Sequence, residues 1–281
     1  MESLKTTLKK MNLSETTFKN MSHKDFEQFK VDSLNEAEGN RHLEDGYNCP
    51  ICKNKGYIAK LQQINETYTH YIADCKCADV RRSILRMKKS GLKDIIKDYT
   101  FEKYETRAIW QETIKNAALE FAKNPNGWFF LGGQSGAGKT HLCTAICRDF
   151  LLNGRSVVYM IWHEDTAKIK GLSMEADRRQ DLIDRYKKAE VLYIDDLFKP
   201  VRNSDGSIQM PTGADIKLAF EIINYRYNNH DLITIISSEW TEDELLDIDE
   251  ATGGRIFERS KTLSIARDRK RNYRTRKAIT V

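Results

Sequence analysis

The chain has 281 residues, 40% of them apolar and 31% charged, with a formal net charge of +5; that suffices for one large domain or two smaller ones and confines disorder to the ends. No apolar run reaches the length of a membrane span, and Met1-Glu2-Ser3-Leu4-Lys5 lacks the apolar block of a signal peptide, so a soluble cytosolic protein with no membrane partner is expected. Ten Lys and Arg against two Asp and Glu make the stretch from Arg255 onward +8; with +5 overall, the preceding 254 residues carry −3.

Residues 1 to 45 are polar, with scattered apolar positions such as Leu4, Leu8, Met11, Phe18, Phe26 and Phe29, and predict short amphipathic helices. Their apolar stripe either packs on the neighbouring cysteine-bearing segment or serves as a docking surface. Four cysteines come next, Cys49-Pro-Ile-Cys52 and, after 22 intervening residues, Cys75-Lys-Cys77. In a reducing compartment two such pairs point to zinc, because two tight loops can present four thiolates tetrahedrally. The second pair is tighter than usual, which leaves His70 as an alternative ligand. With four protein ligands the ion would fold its surroundings and catalyse nothing.

A basic helix is predicted from Val80 to Lys89 and ends at Gly91; it can grip phosphates or be a solvated linker face. The domain boundary is expected near residues 92 to 104, followed by a helix from Glu105 to Lys123 and an apolar strand, Trp128 to Leu131.

The strand runs into Gly133-Gln134-Ser135-Gly136-Ala137-Gly138-Lys139-Thr140, a complete G-x-x-x-x-G-K-[ST] loop opening a helix at Lys139. The glycines let backbone N–H groups converge on a β-phosphate, Lys139 reaches the β- and γ-oxygens, and the Thr140 hydroxyl can ligate Mg²⁺. Cys143 and Cys147, four apart on that helix, read as core.

Ser156 to Trp162 predicts a second strand, 163 to 188 a helical region, and Val191 to Ile194 a buried strand that ends in Asp195-Asp196, 56 positions after Lys139. One carboxylate at such a tip can hold the Mg²⁺ water shell and its neighbour can orient and deprotonate the attacking water; Asp195 is assigned the metal and Asp196 the base. A polar loop (Lys199 to Gly213), a helix (Ala214 to Asn228) and a strand from Leu232 to Ser238 follow. Alternating strands and helices imply a parallel sheet covered on both faces, with the nucleotide at the carboxyl ends of its strands. Ser237 or Ser238 would sense the γ-phosphate there.

Ala251 to Arg259 forms a Gly-led helix in which Arg255 and Arg259 occupy adjacent turns. An arginine delivered in trans stabilises a transferring phosphoryl charge, and such a residue requires self-association or a partner. Arg267, Arg269, Lys270, Arg271, Arg274, Arg276 and Lys277, with Tyr273, can bind nucleic-acid phosphates and stack a base.

Taken in order, Gly133 to Thr140, Asp195-Asp196, Ser237-Ser238 and Gly254-Arg255-Ile256-x-x-Arg259 resemble the AAA+ ATPase module, and are most similar to bacterial and phage helicase loaders of the DnaC/DnaI type. Ile194 to Lys199, Phe220 to Tyr227 and Ser237-Ser238-Glu239 with Glu244-Leu245-Leu246 support this, and the cysteine module is similar to the zinc-bearing N-terminal region of the DnaI-like branch. The resemblance extends to transposition helper ATPases such as IstB, which generally lack that module. It implies an α/β AAA+ domain, its parallel sheet flanked by helices, over 96–266; before it a small zinc-binding helical domain over 1–95 that holds a helicase; and a basic tail over 267–281. It further implies a weak, Mg²⁺-dependent ATPase that delivers a hexameric replicative helicase onto single-stranded DNA, its ATPase domains associating side by side. Glu239 departs from the Asn of many relatives, and Asp196 from the commoner Glu; the shorter acid suits a slow switch better than a motor. A P-loop kinase for small molecules and a zinc-anchored nucleic-acid adaptor that uses nucleotide only structurally are the readings from other classes.

Overall fold

A computed structural model describes residues 21–87, 95–205 and 207–274. The chain divides into two compact units between Arg81 and Arg82, ahead of the boundary anticipated at 92 to 104, part of which lies outside the described residues.

In the first unit, helix α1 (His23–Glu36) begins where Ser22 Oγ accepts from Asp25 N at 3.1 Å, and packs on a hairpin of β1 (Tyr57–Ile64) and β2 (Thr67–Asp74). Asn35 ties helix to sheet through both atoms of its amide, accepting from Ala59 N at 2.9 Å and donating to Ala59 O at 3.0 Å. Leu4, Leu8, Met11 and Phe18, expected on amphipathic helices, lie outside the described residues. A short helix α2 (His42–Asp45) precedes the first cysteine pair, and α3 (Cys77–Met87) begins at the last cysteine, in place of a helix starting at Val80. The expected helical domain therefore needs a correction: the interval between the cysteine pairs is a β-hairpin. Its run of Ile, Thr and Tyr residues favours a pleated surface, and Asn65, with φ 55°, makes the turn.

The second unit is a five-stranded parallel sheet of order β4-β5-β8-β3-β9, built from β3 (Trp128–Gly133), β4 (Val157–Ile161), β5 (Val191–Asp195), β8 (Ile233–Ser237) and β9 (Ser260–Ile265). The runs of β3, β4, β5 and β8 are near-continuously apolar, as strands covered on both faces must be. The fifth strand is outside the sequence expectation, because Ser260–Ile265 mixes polar with apolar residues and is continuous with the basic end of the chain. The covering helices include α4 (Ile95–Asp98), α5 (Ile109–Lys123), α6 (Lys139–Leu152), α7 (Trp162–Gly171), α8 (Ala176–Lys187), α9 (Gly213–Tyr227), α10 (Glu242–Ile248) and α11 (Glu250–Arg259). The loop after β5 carries a small hairpin of β6 (Val201–Arg202) and β7 (Ile208–Gln209).

Arg226 of α9 is fully buried and binds no carboxylate; its guanidinium donates to the carbonyls of Tyr186, Lys187, Ala189 and Ile233 and to Thr234 Oγ1, at 2.6 to 3.1 Å. It thereby satisfies the last carbonyls of α8 and fixes the start of β8. No helix among the described residues is long and apolar enough to cross a membrane.

Candidate functional site

β3, the Gly133–Thr140 loop and α6 form the strand, turn and helix that the sequence implies. The chain is left-handed at Gly133 (φ 98°) and Gly138 (φ 89°), and a Cβ at these positions would strike Ile265 O and the Tyr104 ring respectively. Lys139 is 5% exposed, its amine donating to Gly133 O at 2.8 Å and Gln134 O at 2.9 Å. Burial pushes the Lys139 amine down, while the carboxylates of Glu239, Asp196 and Asp195 pull it up. A buried cation at a helix N-terminus, bonded only to carbonyls of its own loop, can exchange them for phosphate oxygens.

Asp195, at the tip of β5, is buried and accepts from four hydroxyls: Thr140 (3.1 Å), Tyr193 (2.7 Å) and Ser237 (2.5 Å) on Oδ1, and Tyr159 (2.7 Å) on Oδ2. Burial in the first place, and the Asp195 charge in the second, push both phenols up, so they remain donors. Thr140 and Asp195 are thus adjacent, as residues sharing one Mg²⁺ shell need to be. Asp196, at φ 57°, turns its carboxylate to the Lys199 amine at 2.6 Å. Neither serine hydroxyl reaches the cleft: Ser237 Oγ donates to Asp195 and accepts from Asp196 N, and Ser238 Oγ donates to Leu197 O and accepts from Trp240 N. Glu239 occupies the cleft instead, receiving Ser135 Oγ at 2.9 Å.

The cleft holds about 500 Å³, and Ser135, Lys139, Thr140, Asp196, Lys199 and Glu239 line it. Tyr99, Tyr104 and Tyr273 also line it; Tyr99 stacks on His141 at 4.6 Å, and His141 meets Thr100 O at 2.8 Å, with burial pushing the imidazole pKa down. The beginning of the expected tail lies along the loop: Asp268 N donates to Gln134 Oε1, Tyr273 N to Gly136 O, and Tyr273 Oη to Glu105 O. Residues 275–281, with Arg276 and Lys277, lie outside the described residues.

The two arginines stand apart from this cleft. Arg255 donates to Asn224 Oδ1 and Ala251 O and lies over the Phe220 ring; Arg259 donates to Tyr227 O and stands over Trp128. Trp128 opens β3 and the loop begins at its last residue, Gly133, so Arg259 sits about 17 Å along the strand from the loop of its own chain.

In the first unit, the Sγ atoms of Cys49, Cys52, Cys75 and Cys77 all lie within 4.8 Å of one another, buried and unbridged. Cys49 and Cys75 are 3.8 Å apart and Cys52 and Cys77 3.5 Å, close to the roughly 3.8 Å that a tetrahedron of about 2.3 Å Zn–S bonds requires. Burial raises the Cys52 thiol, but the Gly56 N–H and the neighbouring sulfurs overcome it and hold it at about 7, whereas burial pushes Cys75 and Cys77 up. The donor set fits a zinc ion, and the tight second pair is no obstacle because Cys77 opens α3. His70 stands outside the group of donors that the four thiols form, and its Nδ1 meets Glu27 Oε2 at 2.5 Å. Arg81, paired with buried Asp45 at 2.5 Å, braces the cluster from α3. Cys143 and Cys147 are fully buried on α6, as expected.

Sequence reasoning missed Tyr159, Tyr193 and Tyr99, and treated Glu239 only as a departure. The signal for Tyr193 was present in Tyr193-x-Asp195, since residues two apart on a strand share a face, whereas Tyr159 comes from the neighbouring strand and left none.

A model of IstB-like ATP binding proteins matches residues 73–278. YqaM of Bacillus subtilis is 33% identical over 215 residues, 72% of this chain and 66% of that protein, just under two thirds of its length. The replicative helicase loader DnaC of Escherichia coli is 28% identical over 118 residues, 39% of this chain and 46% of DnaC. A crystal structure of the DnaC helicase loader superposes with a TM-score of 0.51 at 22% identity, over 60% of this chain and 98% of that one, and shares the fold. The chain belongs to the family of IstB-like ATP binding proteins, with an AAA+ ATPase domain of the IstB/DnaC kind.

Proposed function

We propose that this protein is an ATP-driven switch of the helicase-loader kind, which grips a hexameric replicative helicase and releases it onto single-stranded DNA. The observation that carries the reading is one cleft lined by Lys139, Thr140, Asp196 and Glu239, with Asp195 against Thr140, in a chain that also has a four-cysteine unit ahead of it. In this reading the loop and Lys139 bind the triphosphate, and Tyr99, Tyr104 and Tyr273 flank the base. A magnesium ion, held by Thr140 with Asp195 behind its water, would draw charge from the phosphate oxygens. Asp196, oriented by Lys199, takes the proton of the attacking water. Arg255 or Arg259 of a neighbouring copy, held away from its own loop, completes the site. Residues 1–95, folded around zinc, hold the helicase, residues 96–266 are the ATPase domain, and the basic end from 267 contacts the strand.

The test is capture of a purified hexameric helicase from the native cell with Mg-ATP, with ADP and with no nucleotide. The expected result is a complex whose stability changes with nucleotide, and hydrolysis stimulated by single-stranded DNA. A helicase ignored under all three conditions overturns the reading. The family model favours a second one, a transposition helper of the IstB kind, in which a transposase and not a helicase is captured.

A further inference from the structure

We infer that Tyr159 and Tyr193 are positioning residues for the divalent cation: together they fix the Asp195 carboxylate in the one orientation that can serve a metal ion shared with Thr140. The inference rests on the nucleotide reading above.

The two tyrosines meet because of strand register. β4 and β5 pair in parallel with Tyr159 opposite Tyr193 and Ile161 opposite Asp195. Side chains two apart on one strand share a face, so Tyr193 stands directly behind Asp195, and Tyr159 lies beside Tyr193 with ring centroids 5.1 Å apart. Each phenol reaches forward to a different carboxylate oxygen, Tyr193 to Oδ1 and Tyr159 to Oδ2, both at 2.7 Å.

The two oxygens are not equivalent. Oδ1 accepts from Thr140, Tyr193 and Ser237, which fills its acceptor directions. Tyr159 is the one described donor on Oδ2, so it alone sets the rotation of the carboxylate about the atom that the other three hold. It leaves a lone pair of Oδ2 for a metal-bound water. Hydrophobic side chains at 159 and 193 would fill this packed core as well; hydroxyls aimed at one carboxylate have no packing purpose. An apolar strand that only buried itself against α6 would not need them.

Partners of a metal-facing carboxylate typically cost 10- to 100-fold in metal affinity when removed. The experiment measures binding of a fluorescent ATP analogue to the full-length protein in EDTA and across a Mg²⁺ titration. For Tyr159→Phe the expected outcome is unchanged affinity in EDTA and a rise of about tenfold or more in the Mg²⁺ concentration that gives half of the metal-dependent gain. Tyr193→Phe is expected to move it less, because Thr140 and Ser237 still hold Oδ1. Manganese bound with the nucleotide, followed by its paramagnetic resonance spectrum, should show a changed environment in Tyr159→Phe. An unaltered Mg²⁺ dependence and manganese spectrum in Tyr159→Phe would overturn the inference, and so would a loss of affinity equal in EDTA and in Mg²⁺, the mark of a purely structural role. Failure of the underlying reading looks different: the wild-type chain itself then binds no nucleotide under either condition, and the inference falls with it.

Discussion

The two units hold their polar sites by opposite means. In the second, Asp195 and the Gly133–Thr140 loop emerge from the ends of strands whose apolar residues are almost entirely buried, so the scaffold exists before any ligand arrives. In the first, the described buried apolar residues outside the cysteines are few, chiefly Val31, Tyr47, Ala59 and Val80, and the four thiols stand where a core would. A site preorganised by a sheet tolerates losing its ligand; a site that replaces a core does not. The units should therefore respond differently to the same kind of insult.

The largest effect is expected from metal removal. Structural zinc contributes about 10 kcal/mol or more of folding free energy in small modules, a scale the few apolar contacts here cannot match. Cys49→Ser, or a strong chelator, should release one ion per chain and abolish amide-exchange protection across β1 and β2, while protection in β3, β5 and β8 and nucleotide binding persist. A first unit that keeps its protection without metal breaks the comparison at its root.

Arg226→Met probes the converse in the sheet unit. It removes the donor from four carbonyls and a hydroxyl in the interior, and several unsatisfied acceptors place the cost at about 3 kcal/mol or above, read as a lowered denaturant midpoint of this unit alone. Lys139→Ala should leave that midpoint nearly untouched, because its partners are loop carbonyls beside a cleft, yet weaken nucleotide binding at least about 100-fold through the lost charge-assisted bonds. Unchanged affinity in Lys139→Ala would remove the phosphate cradle. The two variants together separate scaffold from site.

The same contrast governs what could be read from the chain. Loop, strand tip and cysteine pairs are legible because their chemistry is local: a phosphate turn needs glycines in a row, and a thiolate pair needs tight spacing. Continuous apolar runs likewise marked β3, β4, β5 and β8. Features made by distant segments left no such mark. The β1–β2 hairpin hid between cysteine pairs, and Ser260–Ile265 became a strand only because β3 offered it an edge. Tyr273 reaches Glu105 and Tyr159 reaches Asp195 across 168 and 36 positions respectively, and no periodicity announces either. Ser237 and Ser238 illustrate the reverse: rightly placed at a strand tip, their hydroxyls face protein partners, and it is Glu239 that enters the cleft.

The smallest effect concerns the contact between helix and hairpin in the first unit. Glu27 on α1 joins helix to hairpin through His70 on β2, and hydrogen bonds from Lys30 and His70 hold its carboxyl at about 2, below the usual 4.5. A depressed carboxyl stabilises the folded state at pH values above its unfolded range and loses that contribution as pH falls from about 4.5 toward 2. Glu27→Gln should therefore lower the stability of the first unit at neutral pH, and the gap between variant and wild type should narrow as pH drops below about 4.5. Zinc release in acid is common to both chains and cancels in that difference. Since the four thiols group without His70, Glu27→Gln should leave one zinc per chain at neutral pH. A variant that lost the ion would mean that the helix-to-hairpin contact and the metal centre are one cooperative element, and the first unit would then resemble the second in being held by its packing.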